Sequence, residues 1–168
     1  MTRILLVMSL LAACSSDGTE VERAKLGTIS FNVPAGWHRV DGDRPGVVSA
    51  EWRPVDNTRK ESILVIRSKA FAVAATSTRE DLEQLLVKSH ATARNVTSPT
   101  HLSTPLGKDV VRVEFDFQPP NTSQSYHRVH VLMRDDDSIV HVLYTARTPD
   151  EDLAELRFLL DSVRREQG

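Results

Sequence analysis

Apolar and polar residues alternate strictly over Val111-Arg112-Val113-Glu114-Phe115-Asp116-Phe117, with every odd position apolar and every even one charged. A period of two marks a strand with one buried face. Val129, Val131 and Met133 repeat the odd pattern. Asp135-Asp136-Asp137-Ser138 then reads as a hairpin turn into a strand over 139–147. If that turn pairs Arg134 with Ile139, Val131 faces Val142 and Val129 faces Tyr144. With Phe115 opposite Val129, one apolar face then runs across three strands. Earlier in the chain, 29–33 alternates and ends at Pro34-Ala35-Gly36-Trp37, which places Trp37 just past the strand. Strands follow at 47–52 and 62–71, separated by a loop at 41–46 and a return at 54–60. Ile63-Leu64-Val65-Ile66 is apolar on both faces and asks for a central position. Residues 97–107 are ambiguous, with Pro99 and Pro105 confining any strand there to an edge.

Two helices complete the pattern. Ser77 with Glu80 fits a capping box, and Leu82, Leu85, Leu86 and Ala93 follow at helical spacing. Near the end, Thr148 reads as an N-cap, Pro149 as the first helical residue and Glu151 as the closing carboxylate. Leu153, Leu156, Leu160 and Val163 form one stripe with Leu159 beside it, and Arg164 and Arg165 suit the negative end of the helix dipole. This helix is expected to cover the apolar face of the meander.

The first fourteen residues break from this pattern. Arg3 is followed by the apolar run Ile4-Leu5-Leu6-Val7-Met8-Ser9-Leu10-Leu11 and then Ala12-Ala13-Cys14. The run is too short to span a bilayer, which takes about 20 residues. A charged start, an apolar middle and small residues at the end make up a secretory signal. Leu11-Ala12-Ala13-Cys14 resembles a bacterial lipobox, and its cysteine is the only one in the chain. That resemblance implies cleavage before Cys14 and acylation of its thiol. Ser15 at the next position, by analogy with enterobacterial lipoproteins, permits an outer-membrane destination. The chain therefore divides into a signal peptide over 1–13, a polar tether over 14–25 and one domain over 26–166. A formal net charge of −2 gives that domain no electrostatic footprint for nucleic acid. With Cys14 acylated no thiol remains for a disulfide or for cysteine catalysis.

Candidate chemistry is sparse. The sequence contains no nucleophile elbow, phosphate loop, dinucleotide fingerprint, His-Glu-x-x-His or Cys-x-x-Cys, and calls for no cofactor. The histidines are the suggestive set. His127 and His130 share one strand, and His141 lies diagonally from His130 on the next, both pointing away from the last helix. Setting Phe115 opposite Val129 also puts Glu114 beside His130 and Asp116 beside Arg128. A Glu114–His130–His141 group would then offer ligands to a divalent metal, while ordinary cross-strand pairing accounts for the same residues. Asp135-Asp136-Asp137 lacks the spacing of a calcium loop and reads as a solvated turn. Trp37 and Trp52 read as core packing at the end of the sheet, with an exposed aromatic platform as the alternative.

The alternating strand ending in Pro34-Ala35-Gly36-Trp37 and the closing amphipathic helix with 159–163 resemble the PsbP-like superfamily. The likeness extends over 27–165. It implies an α+β fold, a three-layer α/β/α sandwich with an antiparallel sheet and a helix on each face. Members of that superfamily include a photosystem II extrinsic subunit, a Ran-binding nuclear protein and many bacterial lipoproteins, and catalysis is not a family trait. The expectation is a membrane-anchored envelope lipoprotein, facing the periplasm or the cell surface. It would be a non-enzymatic binding or accessory protein with a protein partner. The alternative is a sensor or carrier for a small ligand or metal.

Overall fold

Strand alternation carries seven of the described strands into one antiparallel sheet. The computed structural model describes residues 21–40, 48–68, 78–90, 92–135, 138–147 and 153–166. The expectations for Cys14, Ser15, Ser77, Asp136, Asp137, Thr148, Pro149, Glu151 and the loop at 41–46 lie outside them. In chain order the elements are β1 (Arg23–Leu26), β2 (Ile29–Asn32), β3 (Trp37–Val40), β4 (Val48–Pro54), β5 (Ser62–Ser68), α1 (Arg79–Ser89), β6 (Thr100–Thr104), β7 (Gly107–Phe117), β8 (Tyr126–Asp135), β9 (Ser138–Ala146), α2 (Ala154–Ser162) and β10 (Arg164–Arg165). The large sheet runs β3-β4-β5-β9-β8-β7-β6, and a small one runs β1-β2-β10. Two meanders, β3–β5 and β6–β9, therefore join through the pairing of β5 with β9. The doubly apolar β5 is interior, as its sequence requires. β6 lies at an edge between its two prolines, where missing donors are harmless.

That topology fixes where α1 lies. It leaves β5 near the middle of the sheet and must deliver the chain to β6 at the far edge, so it crosses β8 and β7. Thr78 caps it, accepting from the Asp81 backbone N–H, and the Asp81 carboxylate accepts from the Thr78 N–H at 2.8 Å. The box is thus one residue later than the Ser77–Glu80 reading. Leu82 and Leu86 are buried against Val111, Val113, Phe115, Leu132 and Ile139. Ala93 is not helical; α1 ends at Ser89 with His90 as its C-cap.

The opposite face buries Val129, Val131, Val142 and Tyr144 together with Leu156, Leu159, Leu160 and Val163 of the closing segment. The register of β8 on β9 pairs Arg134 with Ile139 and Val131 with Val142, as the turn requires. The register of β7 on β8 is one residue from the reading above, since Phe115 lies opposite Arg128 and Val113 opposite His130. A one-residue slip exchanges faces. Val113 and Phe115 therefore pack under α1, and Arg112, Glu114 and Asp116 point to the other side.

α2 departs from expectation at both ends. Leu153 is its N-cap, in the left-handed region at φ 49°, with no side-chain cap bond. A right-handed helix cannot run through that residue, so α2 begins at Ala154. At the other end Val163 is extended, and Arg164 and Arg165 form a strand on β2 instead of a last helical turn. The stretch read as tether also contributes structure, because β1 begins at Arg23 and Ala24 is in the core. Trp37 opens β3 beyond a tight turn, in which Gly36 at φ 77° lets the Trp37 N–H reach the Pro34 carbonyl at 3.1 Å. Both tryptophans are buried, Trp52 edge-on to Phe31 with centroids 5.2 Å apart.

Asp135 is the largest surprise in the turn. It is 1% exposed. Arg165 donates to its Oδ1 through Nε at 2.9 Å and Nη2 at 2.7 Å. Thr28 donates to Oδ2 at 3.1 Å, and the Arg67 Nε lies 3.4 Å from the same oxygen. The first aspartate of the triplet is therefore a buried ionic junction between the two sheets.

Two outcomes follow for stability. Leu156→Ala should lower the unfolding free energy by about 2–5 kcal/mol in urea melts, with Arg157→Ala within about 0.5 kcal/mol of the parent. An unchanged midpoint for Leu156→Ala would remove α2 from the core. Asp135→Asn should cost about 3 kcal/mol, at the low end for a buried pair because Arg165 is 45% exposed.

Candidate functional site

Leu82 and Leu86 set the buried stripe of α1, and His90 follows at the same spacing of four. The cap residue thus continues the buried face and brings its imidazole to the sheet. The ring stacks on Phe115 with centroids 4.0 Å apart at 26°. Its Nε2 lies 2.8 Å from Nδ1 of His130, and Nε2 of His130 lies 3.1 Å from Nδ1 of His141. Three imidazoles from α1, β8 and β9 form one hydrogen-bonded file between helix and sheet. Neutral rings satisfy it when each donates through one nitrogen and accepts through the other, in either direction along the file.

Burial keeps these rings neutral. His130 is 7% exposed, and desolvation pushes its pKa well below the usual value, with His141, His90 and Arg128 adding to the effect. His141 has Leu132 and Ile66 as its cross-strand neighbours, and burial lowers its pKa to about 4. His90 is lowered by burial first and by Arg128 second.

The file opens on a cavity of about 590 Å³ at the end of α1, walled by His90, Arg94, Phe115, Phe117, Thr122 and Arg128. Arg128 holds its guanidinium 4.2 Å from the Phe117 ring centre and donates from Nε to Thr145 Oγ1 at 2.9 Å. The cavity thus offers aromatic walls, a fixed cation, Asp116 and an imidazole edge, a combination suited to binding a flat polar group.

Of the residues the sequence singled out, His130 and His141 meet and Glu114 does not join them. The β7 register turns Glu114 to the opposite face, where its Oε2 lies 3.1 Å from Nε2 of His127 and Arg112 donates to its Oε1 at 2.6 Å. Asp116 approaches Nδ1 of His127 at 3.0 Å and accepts from Asn95 at 2.7 Å; the Asn95 bond is the main reason its pKa is lowered. Among the described residues no group of three or more His, Cys, Asp or Glu is placed to hold a metal ion. The 2.8 Å link between His90 and His130 is a hydrogen-bond length; two imidazole nitrogens sharing a tetrahedral zinc sit about 3.3 Å apart. His90 and Arg128 are the site residues that the sequence reading missed. The Leu82, Leu86, His90 spacing was the signal for the first. No signal located the second, because its position depends on register.

No protein-family profile matches the chain, and no curated protein sequence matches it. Solved structures do. The solution structure of cyanobacterial PsbP (CyanoP) from Synechocystis is similar with a TM-score of 0.54 and 17% identity, over 92% of this chain and 98% of that one. The crystal structure of LpqN, involved in cell envelope biogenesis of Mycobacterium tuberculosis, is similar with a TM-score of 0.52 and 9% identity, over 90% of this chain and 88% of that one. At these identities the likeness is one of fold. The chain has a PsbP-like α+β fold, a mostly antiparallel sheet with two helices.

The histidine file makes stability depend on pH. A folded pKa below the unfolded value of about 6.5 means that the unfolded chain binds more protons at intermediate pH. The stabilisation is complete above about pH 6.5 and is lost as pH falls toward the folded value of about 4 for His141. That residue's share is about 3 kcal/mol. Urea melts from pH 7.5 to pH 4 should show the decline, and His141→Phe should flatten it. Parallel slopes for parent and variant would show that His141 is not buried in its neutral form.

Proposed function

We propose that the chain is a lipid-anchored, non-enzymatic accessory protein of a bacterial cell envelope that binds a protein partner through the cavity at the end of α1. The observation that carries the address is Leu11-Ala12-Ala13-Cys14, with the sole cysteine at the position a lipobox requires. The fold shared with LpqN, an envelope biogenesis protein, supports an envelope role. The chemistry of the site supports binding over catalysis. His90 and His130 direct their facing nitrogens at one another, and burial keeps them from gaining protons readily at neutral pH. Ser15 permits the outer membrane, on its periplasmic side or at the cell surface. A net charge of −2 argues against nucleic acid as the partner.

The cavity of about 590 Å³ favours a second reading, a carrier or sensor for a small ligand, since that volume suits an organic molecule of modest size. A photocross-linker placed at Thr122 separates the two. Capture of an envelope protein supports the accessory reading, and a small bound mass seen by native mass spectrometry supports the carrier. For the anchor, Cys14→Ser should abolish labelling by palmitate and release the protein from the membrane fraction. Retention of the Cys14→Ser protein through a high-salt wash would overturn it.

A further inference from the structure

Val21, the first of the described residues, is a wall of a second, shallower depression. Val21, Pro34, Trp37 and Phe158 surround about 410 Å³ there, with Glu155 at the rim. Val21 is 47% exposed and Phe158 39%. Phe158 lies on the side of α2 away from the stripe of Leu156, Leu159 and Leu160, so packing of the helix does not account for a phenylalanine at this position. Phe158 and Val21 thus form an exposed apolar pair at this depression.

The length of chain upstream says what that pair meets. Six residues lie between Cys14 and Val21, a run of seven Cα–Cα steps. Fully extended they reach about 24 Å. A domain of this size is about 40 Å across. With Cys14 held in lipid, the domain cannot turn its far side to the membrane, and the face around Val21 is the one brought to the surface. A tether this short also holds that face at a local concentration in the millimolar range, so contacts too weak to recruit the free domain suffice to seat the tethered one.

We propose that the depression formed by Val21, Pro34, Trp37 and Phe158 is a membrane-docking surface, seated on the interfacial region of the lipid layer that holds the anchor. The inference rests on the lipid-anchored reading of Cys14. Phe158 and Val21 enter the boundary between headgroups and acyl chains, where an apolar side chain leaves water without displacing a protein partner. Docking this way fixes orientation. α2 and α1 pack on opposite faces of the large sheet, so docking by the α2 side leaves the face that carries α1 and His90 free of lipid, at the same end of the strands.

The test uses full-length protein purified from its membrane and reconstituted in phosphatidylcholine vesicles with plain or brominated acyl chains. Phe158→Trp keeps the patch apolar and adds a reporter; Lys88→Trp, on the exposed side of α1, is the control. Brominated lipid should quench the Phe158→Trp protein about twice as strongly as the Lys88→Trp protein. A further Val21→Asp change should abolish that excess while the protein still floats with the vesicles. Protein that floats but shows equal quenching at both positions would overturn the docking surface and leave the patch to a protein partner. Protein that does not float would remove the anchor, and the docking inference with it.

Discussion

A carboxylate that is 1% exposed cannot stand alone in a protein interior, and much of the architecture is arranged around that constraint at Asp135. Its cations come from distant parts of the chain, Arg67 at the end of β5 and Arg165 in β10, and Thr28 adds a hydroxyl from the turn between β1 and β2. The β8–β9 hairpin is thereby tied both to its sheet neighbour and to the small sheet. Apolar packing drives the closing segment onto the core, but leucines would tolerate several placements. A salt bridge with two donors on one oxygen tolerates few. The strand at Arg164–Arg165 and its pairing with Ser30 and Ile29 are best understood as consequences of that requirement.

How much the sequence revealed depended on whether a signal was local. Alternation located β7, β8 and β9, and the two prolines placed β6 at an edge. The leucine stripes identified the buried faces of both helices. Register was not local. Whether Phe115 faces Val129 or Arg128 depends on the length of the irregular segment between β7 and β8, which periodicity does not record, and the shift by one residue sent Glu114 to the wrong face. Capping failed for a related reason. A capping-box pattern occurs wherever Ser or Thr precedes an acidic residue by three; Thr78 with Asp81 matches as well as Ser77 with Glu80, and only packing chooses. At α2 the backbone turned left-handed at Leu153, and no residue type there announced it. Asp135 misled because an aspartate triplet in a turn looks solvated, and its partners lie 107 and 30 residues away.

The histidine file is polar material in a place where leucine would ordinarily serve. α1 ends above β8, and the seam between a helix terminus and a sheet contains backbone groups as well as apolar surface. Imidazoles suit such a seam because they have the bulk of an aromatic ring and can satisfy one another. His90 shows both properties, stacking on Phe115 with one face and bonding His130 at its edge. A core of this kind is tied to solution pH in a way a leucine core is not, since each ring is held in the form that burial demands.

Shared fold does not transfer a site. At 17% and 9% identity the PsbP-like framework in CyanoP and LpqN supports the arrangement of strands and helices and leaves the side chains to be argued one by one. In this chain that argument separates two surfaces. α1 crosses β7 and β8, because the chain must pass from β5 to the far edge, and its end leaves the cavity walled by His90, Phe117 and Arg128. The small sheet and α2 cover the other face, with Val21 beside them. One topology therefore places the depression beside Val21 and the cavity beside His90 on different faces of the sheet. The lipid-anchored accessory role proposed above would draw on both.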